Sequence, residues 1–244
     1  MTPSTVAPGT APQDGSGEMF DRIAGRYDRL NRILSVGLDA GWRRAAARAL
    51  DLSPGDRVLD LATGTGDLAL TVAATWPGVE IDATDPSAKM LAVAVGKIAY
   101  SPHAGRIHVV RGDATTIDAS DGGYAGVTMA FGIRNVNDRL GALREMRRVT
   151  RRGGRIAILE LAEPERGILG ALARFHIHSV VPRVGAWLSG EREYRYLQRS
   201  IAAFPPASEF ADMIRAAGLR VLEVQSLTLG VATLFVATPE GEPA

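Results

Sequence analysis

The chain has 244 residues, 46% of them hydrophobic and 23% charged, which suits one large globular domain and is short for two. A net charge of +1 gives no reason to expect a nucleic-acid-binding surface. The absence of cysteine excludes disulfides, thiolate metal sites and cysteine nucleophiles. Four histidines are few and scattered, with His176 and His178 the closest pair, so no metal site is predicted. The longest apolar stretches fall far below the ~18–20 residues of a membrane span.

Residues 1–17 are rich in Pro, Gly, Ser and Thr and lack the charged start and apolar middle of a signal peptide. They read as a disordered tail, with a single domain over 18–239 and a cytoplasmic location. Over 19–35, Phe20, Ile23, Tyr27, Leu30 and Leu34 recur at helical spacing. A second helix is predicted over 41–50, ended by Ser53-Pro54-Gly55-Asp56. Strand and helix then alternate. Strands are expected at 57–62, 79–84, 107–111, 124–130 and 155–161, the last entered through a Gly153-Gly154 turn. Helices are expected at 66–76, 87–97 and 139–149. Such alternation predicts a doubly wound α/β fold with a parallel sheet. An apolar segment over 167–188, broken at Pro182, interrupts the pattern. It belongs to a predicted lid or substrate-binding insertion over 168–206. A helix over 208–217 follows, stopped by Gly218, and strands at 219–225 and 231–238 should pair as an antiparallel hairpin. Five parallel strands and a terminal antiparallel hairpin form the Rossmann-like layout associated with class I methyltransferases.

The strongest local signal is the run from Val58 to Asp67, in which a strand enters the turn Thr63-Gly64-Thr65-Gly66 and then a helix. Glycines let the backbone approach a ligand, and the helix start offers unpaired N–H groups. Gly64, Gly66 and Ala69 also fit the dinucleotide fingerprint, with Asp85 at the distance expected of a ribose-binding acid. The loop thus indicates an adenosine cofactor without choosing between NAD and S-adenosylmethionine. Asp60 chooses, because its carboxylate would repel a pyrophosphate but suits an ammonium and a cationic sulfur. Asp113, after the third strand, can accept from an adenine amino group. Thr63, Met90 and Met129 are further cofactor-binding candidates. A reductase is also disfavoured because no tyrosine has a lysine four residues later.

The chain resembles the quinone-biosynthesis C-methyltransferases, the demethylmenaquinone and 2-polyprenyl-6-methoxybenzoquinol enzymes, from Met19 to Phe235. The resemblance rests on Phe20-Asp21-Arg22-Ile23-Ala24 with Arg26-Tyr27-Asp28, on Trp42-Arg43, and on Asp60 to Asp67. Phe131-Gly132-Ile133-Arg134-Asn135-Val136 is its most specific piece. Arg148-Val149 to Glu160, and Tyr194 to Pro205, also fit. Asp39 stands where a histidine is usual, and Arg151-Arg152 where lysine-proline is usual. The resemblance implies S-adenosylmethionine-dependent methylation of a prenylated hydroquinone, with demethylmenaquinol to menaquinol as the leading case. It implies cofactor contacts at Thr65, Asp85, Asp113 and Ala114, and Arg134, Asn135 and Tyr27 facing the quinol.

In the expected chemistry Arg134 stabilises a phenolate and Asn135 orients a hydroxyl. A proton passes to Tyr27 or water, since arginine is too weak an acid to serve as a base. The competing readings are an ion-pairing Arg134, a helix-capping Asn135, a core Tyr27 and a turn-capping Asp113. Segment 168–188 suits either a greasy lid with peripheral contact at the inner face of the membrane or a helix packed on the domain, and a homodimer is a further expectation. Two alternatives stay open at this point. One is a methyltransferase of the same fold acting on another small aromatic or lipid. The other is an NAD-dependent reductase or a silent binding module.

Overall fold

The computed structural model describes residues 21, 24–35, 37–162 and 191–240. The predicted tail, the apolar segment 167–188 and the pair His176–His178 lie outside the described residues. Five strands alternate with helices: β1 (Arg57–Leu61), β2 (Glu80–Asp85), β3 (Ile107–Arg111), β4 (Tyr124–Ala130) and β5 (Thr150–Leu161). Helix α1 (Tyr27–Leu34) follows a 3-10 turn at Ala24–Arg26, so the predicted first helix begins as a tighter turn. Then come α2 (Asp39–Arg48), α3 (Asp67–Thr75), α4 (Ala88–Ala99) and α5 (Arg139–Val149). The chain closes with α6 (Glu191–Ala202), α7 (Ala207–Ala216), β6 (Leu219–Leu227) and β7 (Ala232–Pro239).

Sheet order is β3-β2-β1-β4-β5-β7-β6, with the first five parallel and β7 antiparallel to both its neighbours. The predicted hairpin is therefore present, and its second strand is the one that joins the sheet. β1 and β4 are buried almost throughout, as central parallel strands covered on both faces must be. One layer of the core packs Trp42, Ala46, Leu68 and Val72 against Val58 and Ile81. The other packs Leu143, Met146, Phe210 and Ile214 against Leu59, Val127 and Phe235. Phe210 sits 4.9 Å from both Phe204 and Phe235, centroid to centroid, and pins α7 to the sheet.

Local chemistry sets the boundaries. Ser87 caps α4, its hydroxyl accepting from Met90 N at 3.1 Å. Asp138 caps α5, accepting from Gly141 N at 2.8 Å, so the capping role considered for Asn135 belongs three residues later. Gly218, at φ +79°, ends α7 as predicted. β5 starts earlier than predicted, because Thr150 already pairs with Tyr124 before the register slips to Gly126↔Arg155. The Gly153-Gly154 pair is thus a bulge inside the strand and not a turn before it. The arginine cluster near β5 is dispersed into ion pairs: Arg148 with Glu145 and Asp121, Arg151 with Asp56, Arg155 with Asp51. No described helix is long and apolar enough to cross a membrane.

Candidate active site

The strand order reverses at β1, with β2 and β3 on one side and β4 and β5 on the other. Crevices for ligands open at the carboxyl ends of strands at such a switch point. Here β1 and β4 end in residues of unusual conformation, Ala62 at φ +50° and Phe131 at φ +58°. Left-handed backbone at non-glycine residues costs energy and persists only where packing holds it. Gly132 is part of that packing, because a Cβ added there would lie 2.7 Å from the Ala62 Cβ. The two strand ends border a shallow cleft, about 320 Å³ when the open solvent at its mouth is included. Its lining includes Tyr27, Arg43, Asp60, Thr63, Gly64, Thr65 and Phe131.

Asp60 forms the floor. Its carboxyl is fully buried and accepts hydroxyl hydrogen bonds from Thr63 (2.6 Å) and Thr128 (2.7 Å). Burial pushes its pKa up to about 6, while those hydroxyls and the Arg43 charge pull the other way. The glycine loop wraps this acid. Gly66 sits at φ +85° and opens α3, and Gly64 at φ +57° presents its N–H to Asp85 Oδ2 at 2.9 Å. Asp85 also accepts from Ser87 N at 2.8 Å, and burial raises its pKa. It is therefore a carboxylate already oriented at the end of β2.

A network of ions beside the cleft ties the amino-terminal helix to the glycine loop. Thr65 Oγ1 donates to Asp28 Oδ1 at 2.5 Å, and Lys97 Nζ reaches Asp28 Oδ2 at 2.7 Å. Lys97 also pairs with Asp67, and Arg43 with Asp39. The Arg43 guanidinium lies 5.4 Å above the Phe131 ring centroid, and Trp42 packs edge-on against the same ring at 6.2 Å. Arg43, Asp67 and Lys97 had no role assigned from the sequence. The available signals were the i, i+4 spacing of Asp39 and Arg43 and the scarcity of lysine, but the partners are 30 or more residues apart for Lys97.

The structure brings Tyr27, Asp60, Thr63, Gly64 and Thr65 to one cleft. Tyr27 also packs on the buried pair Ala24 and Met90, so its core and cleft readings both describe it. Asp113 is exposed, and its Oδ1 accepts from Thr115 N (2.7 Å) and Thr115 Oγ1 (2.6 Å), the turn-capping arrangement. Ala114 follows it, partly buried on the second core layer. Met129 is fully buried in that layer beneath Gly132 and does not line the cleft.

Arg134 and Asn135 lie behind Phe131 in a 3-10 turn, Ile133–Asn135, outside the lining. Arg134 is 5% exposed and pairs with the fully buried Glu160. Its Nη1 also donates to Phe131 O (2.8 Å), and its Nε to Ser200 Oγ at a long 3.4 Å. Arg134 is thus ion-paired, one of the readings that the sequence left open for it. Asn135 Oδ1 accepts from the Tyr196 hydroxyl at 3.0 Å, linking the turn to α6.

A family model described as the ubiE/COQ5 methyltransferase family matches residues 11–239. The chain is 45% identical to a demethylmenaquinone methyltransferase of Deinococcus radiodurans over 221 residues, 90% of each chain. It is 42% identical to a ubiquinone/menaquinone biosynthesis C-methyltransferase UbiE of Syntrophotalea carbinolica, covering 92% of this chain and 94% of that one. Among solved structures, a SAM-dependent methyltransferase from Aquifex aeolicus superposes with a TM-score of 0.62 at 18% identity, covering 89% of this chain and 97% of that one. That likeness shows the class I methyltransferase fold.

Proposed function

The chain belongs to the ubiE/COQ5 methyltransferase family, and from that premise we propose that it transfers a methyl group from S-adenosylmethionine to a ring carbon of a prenylated hydroquinone, with demethylmenaquinol as the leading substrate. The observation that carries the reading is the identity of 42 and 45%, over nine-tenths of both chains, to relatives named for that chemistry.

The residues at the switch point fit the cofactor. S-adenosylmethionine, when bound, supplies an electrophilic methyl on a cationic sulfur. Asp60 then faces an ammonium, which would favour its ionised form against the burial that raises its pKa. Asp85, oriented by two backbone N–H groups, keeps lone pairs for ribose hydroxyls. Thr63, Gly64, Thr65 and Gly66 form the backbone wall. A Cβ on Gly64 would stand in open space, so the loop leaves room for a ligand there. Asp113 and Ala114 serve the adenine, Met90 closes the pocket from α4, and Met129 supports the β4 end from beneath.

The chain's remaining task is to hold a nucleophilic ring carbon in line and exclude water. Asn135 orients a phenolic hydroxyl, and its proton leaves to solvent water, with Tyr27 as a relay that passes its own hydroxyl proton to water as it accepts the phenolic one. Arg134 is a positioning residue that fixes the turn carrying Asn135. The test is transfer of labelled methyl from S-adenosylmethionine to a short-chain demethylmenaquinol kept reduced, with a benzoquinol lacking the methyl group alongside. Product from the naphthoquinol is expected. Product from the benzoquinol alone would move the enzyme to the ubiquinone branch. Cofactor binding without either product would sink the quinol assignment and leave fold and cofactor standing.

A further inference from the structure

Arg43 is a buried arginine whose side chain the chemistry above does not use. It is 6% exposed, yet it borders the cleft beside Asp60, Thr65 and Phe131. It is the only basic side chain among the described residues lining that cleft. A guanidinium has five N–H donors in a planar fork. Asp39, one helical turn earlier, takes Nη1. Asp67 Oδ2 lies 3.8 Å from Nη2, beyond hydrogen-bond length. Among the described residues no other hydrogen bond from Arg43 exists, and no fully buried side-chain nitrogen or oxygen lacks a partner. The unclaimed donors of Arg43 therefore keep some solvent access, on a side chain that lines the cleft. Asp39 grips one edge of the fork, the Phe131 ring supports its face, and the other edge faces Asp67 across 3.8 Å with its hydrogen bonds unmade.

We propose that Arg43 binds the carboxylate of the cofactor's amino-acid end, so that Asp60 and Arg43 together read a zwitterion. The inference rests on the S-adenosylmethionine reading given above. A lone acid on the cleft floor would attract any cation. An acid and an arginine on the same cleft instead select a ligand carrying both charges, and the arginine fork matches carboxylate geometry with two parallel hydrogen bonds. Ser35 and Arg43 both donate to Asp39, and these contacts lower its pKa against its burial, which keeps the arginine's anchor charged. Asp39 is thereby a positioning residue for Arg43.

The experiment is calorimetric titration of the full chain with S-adenosylmethionine and with decarboxylated S-adenosylmethionine, in the wild type, Arg43→Gln and Arg43→Lys, without quinol. Charge-assisted hydrogen bonds of this kind contribute about 10- to 100-fold in affinity. The wild type should bind the complete cofactor tighter than the decarboxylated one by that factor. Arg43→Gln should lose the discrimination, weakening the complete cofactor while leaving the decarboxylated one unchanged. Arg43→Lys should keep part of it as a point charge. Equal weakening of both ligands in Arg43→Gln, or a wild type indifferent to the carboxylate, would overturn the assignment while leaving the cofactor reading intact. A wild type that binds neither ligand would remove the cofactor reading and this inference with it. The wild-type comparison and the lysine variant decide the matter even if the glutamine variant folds poorly.

Discussion

Asp60 shows how one residue can oppose stability and serve a site. Its carboxyl is moved from 3.8 to about 6, and a difference of that size corresponds to ~3 kcal/mol against the charged form. The folded chain thus holds this proton more tightly than the unfolded chain does. The cost of the charge appears as pH rises from about 4 to about 6 and is present in full above that. Asp60→Asn removes the cost while Thr63 and Thr128 can reorient their hydroxyls toward the amide. The variant should be more stable at pH 7.5 by ~1–2 kcal/mol, raising the melting temperature by a few degrees. The gap should narrow as pH falls toward 5. Cofactor affinity should drop at least ~10-fold, as expected when a charge-assisted partner is lost. A variant that melts lower at pH 7.5, with the same pH dependence as the wild type, would show that the buried carboxylate is not the liability argued here. The importance of Asp60 was legible in the sequence from its place four residues before Gly64. Its full burial and its Thr128 partner on β4, 68 residues away, were not.

Among the elements, β5, α6 and the turn after β4 meet at one buried ion pair. Glu160 accepts from Arg134 N (3.1 Å) and Leu161 N (2.8 Å) as well as pairing with the Arg134 side chain. Removing one partner of a buried pair leaves the other charge uncompensated and typically costs ~3–5 kcal/mol. Arg134→Gln and Glu160→Gln should therefore both melt lower, and both should lose turnover to a similar degree with little change in KM for S-adenosylmethionine. Glu160 is fully buried and does not line the cleft, so its effect can only pass through the turn. A Glu160→Gln enzyme that melts lower yet turns over at the full rate would return Arg134 to direct contact with substrate. The sequence marked the Phe131 to Val136 run as special, and an ion-pairing Arg134 was one of its open readings. What sequence order could not supply was the partner, since Glu160 sits one strand further along the chain. The strands themselves were legible because apolar runs between glycine turns have few other uses. The β5 bulge was missed because two glycines read equally well as a turn.

Over the whole molecule, a parallel sheet was anticipated from the alternation of strands and helices, whereas its strand order and the wedging of β7 between β5 and β6 were not. The least legible feature is the ion network that joins the amino-terminal helix to the glycine loop. It links Asp28 on α1 to Thr65 in the loop and Lys97 on α4, contacts between residues 37 and 69 positions apart. No periodicity encodes them, because each partner sits on a different element. Their side chains remain about a third exposed, so the pairs add little to global stability. Their effect should instead be local, holding the helix that carries Tyr27 against the loop proposed to meet the cofactor. Asp28→Asn should shift unfolding free energy by less than about 1 kcal/mol, the range of partly exposed pairs. It should nonetheless weaken cofactor binding several-fold in titration calorimetry. The wild type should lose part of its affinity between 0.05 and 0.5 M salt, roughly the range over which partly exposed charges become screened, and the variant less of it. Unchanged affinity in Asp28→Asn would mean that the amino-terminal helix rests on the loop without contributing to the site.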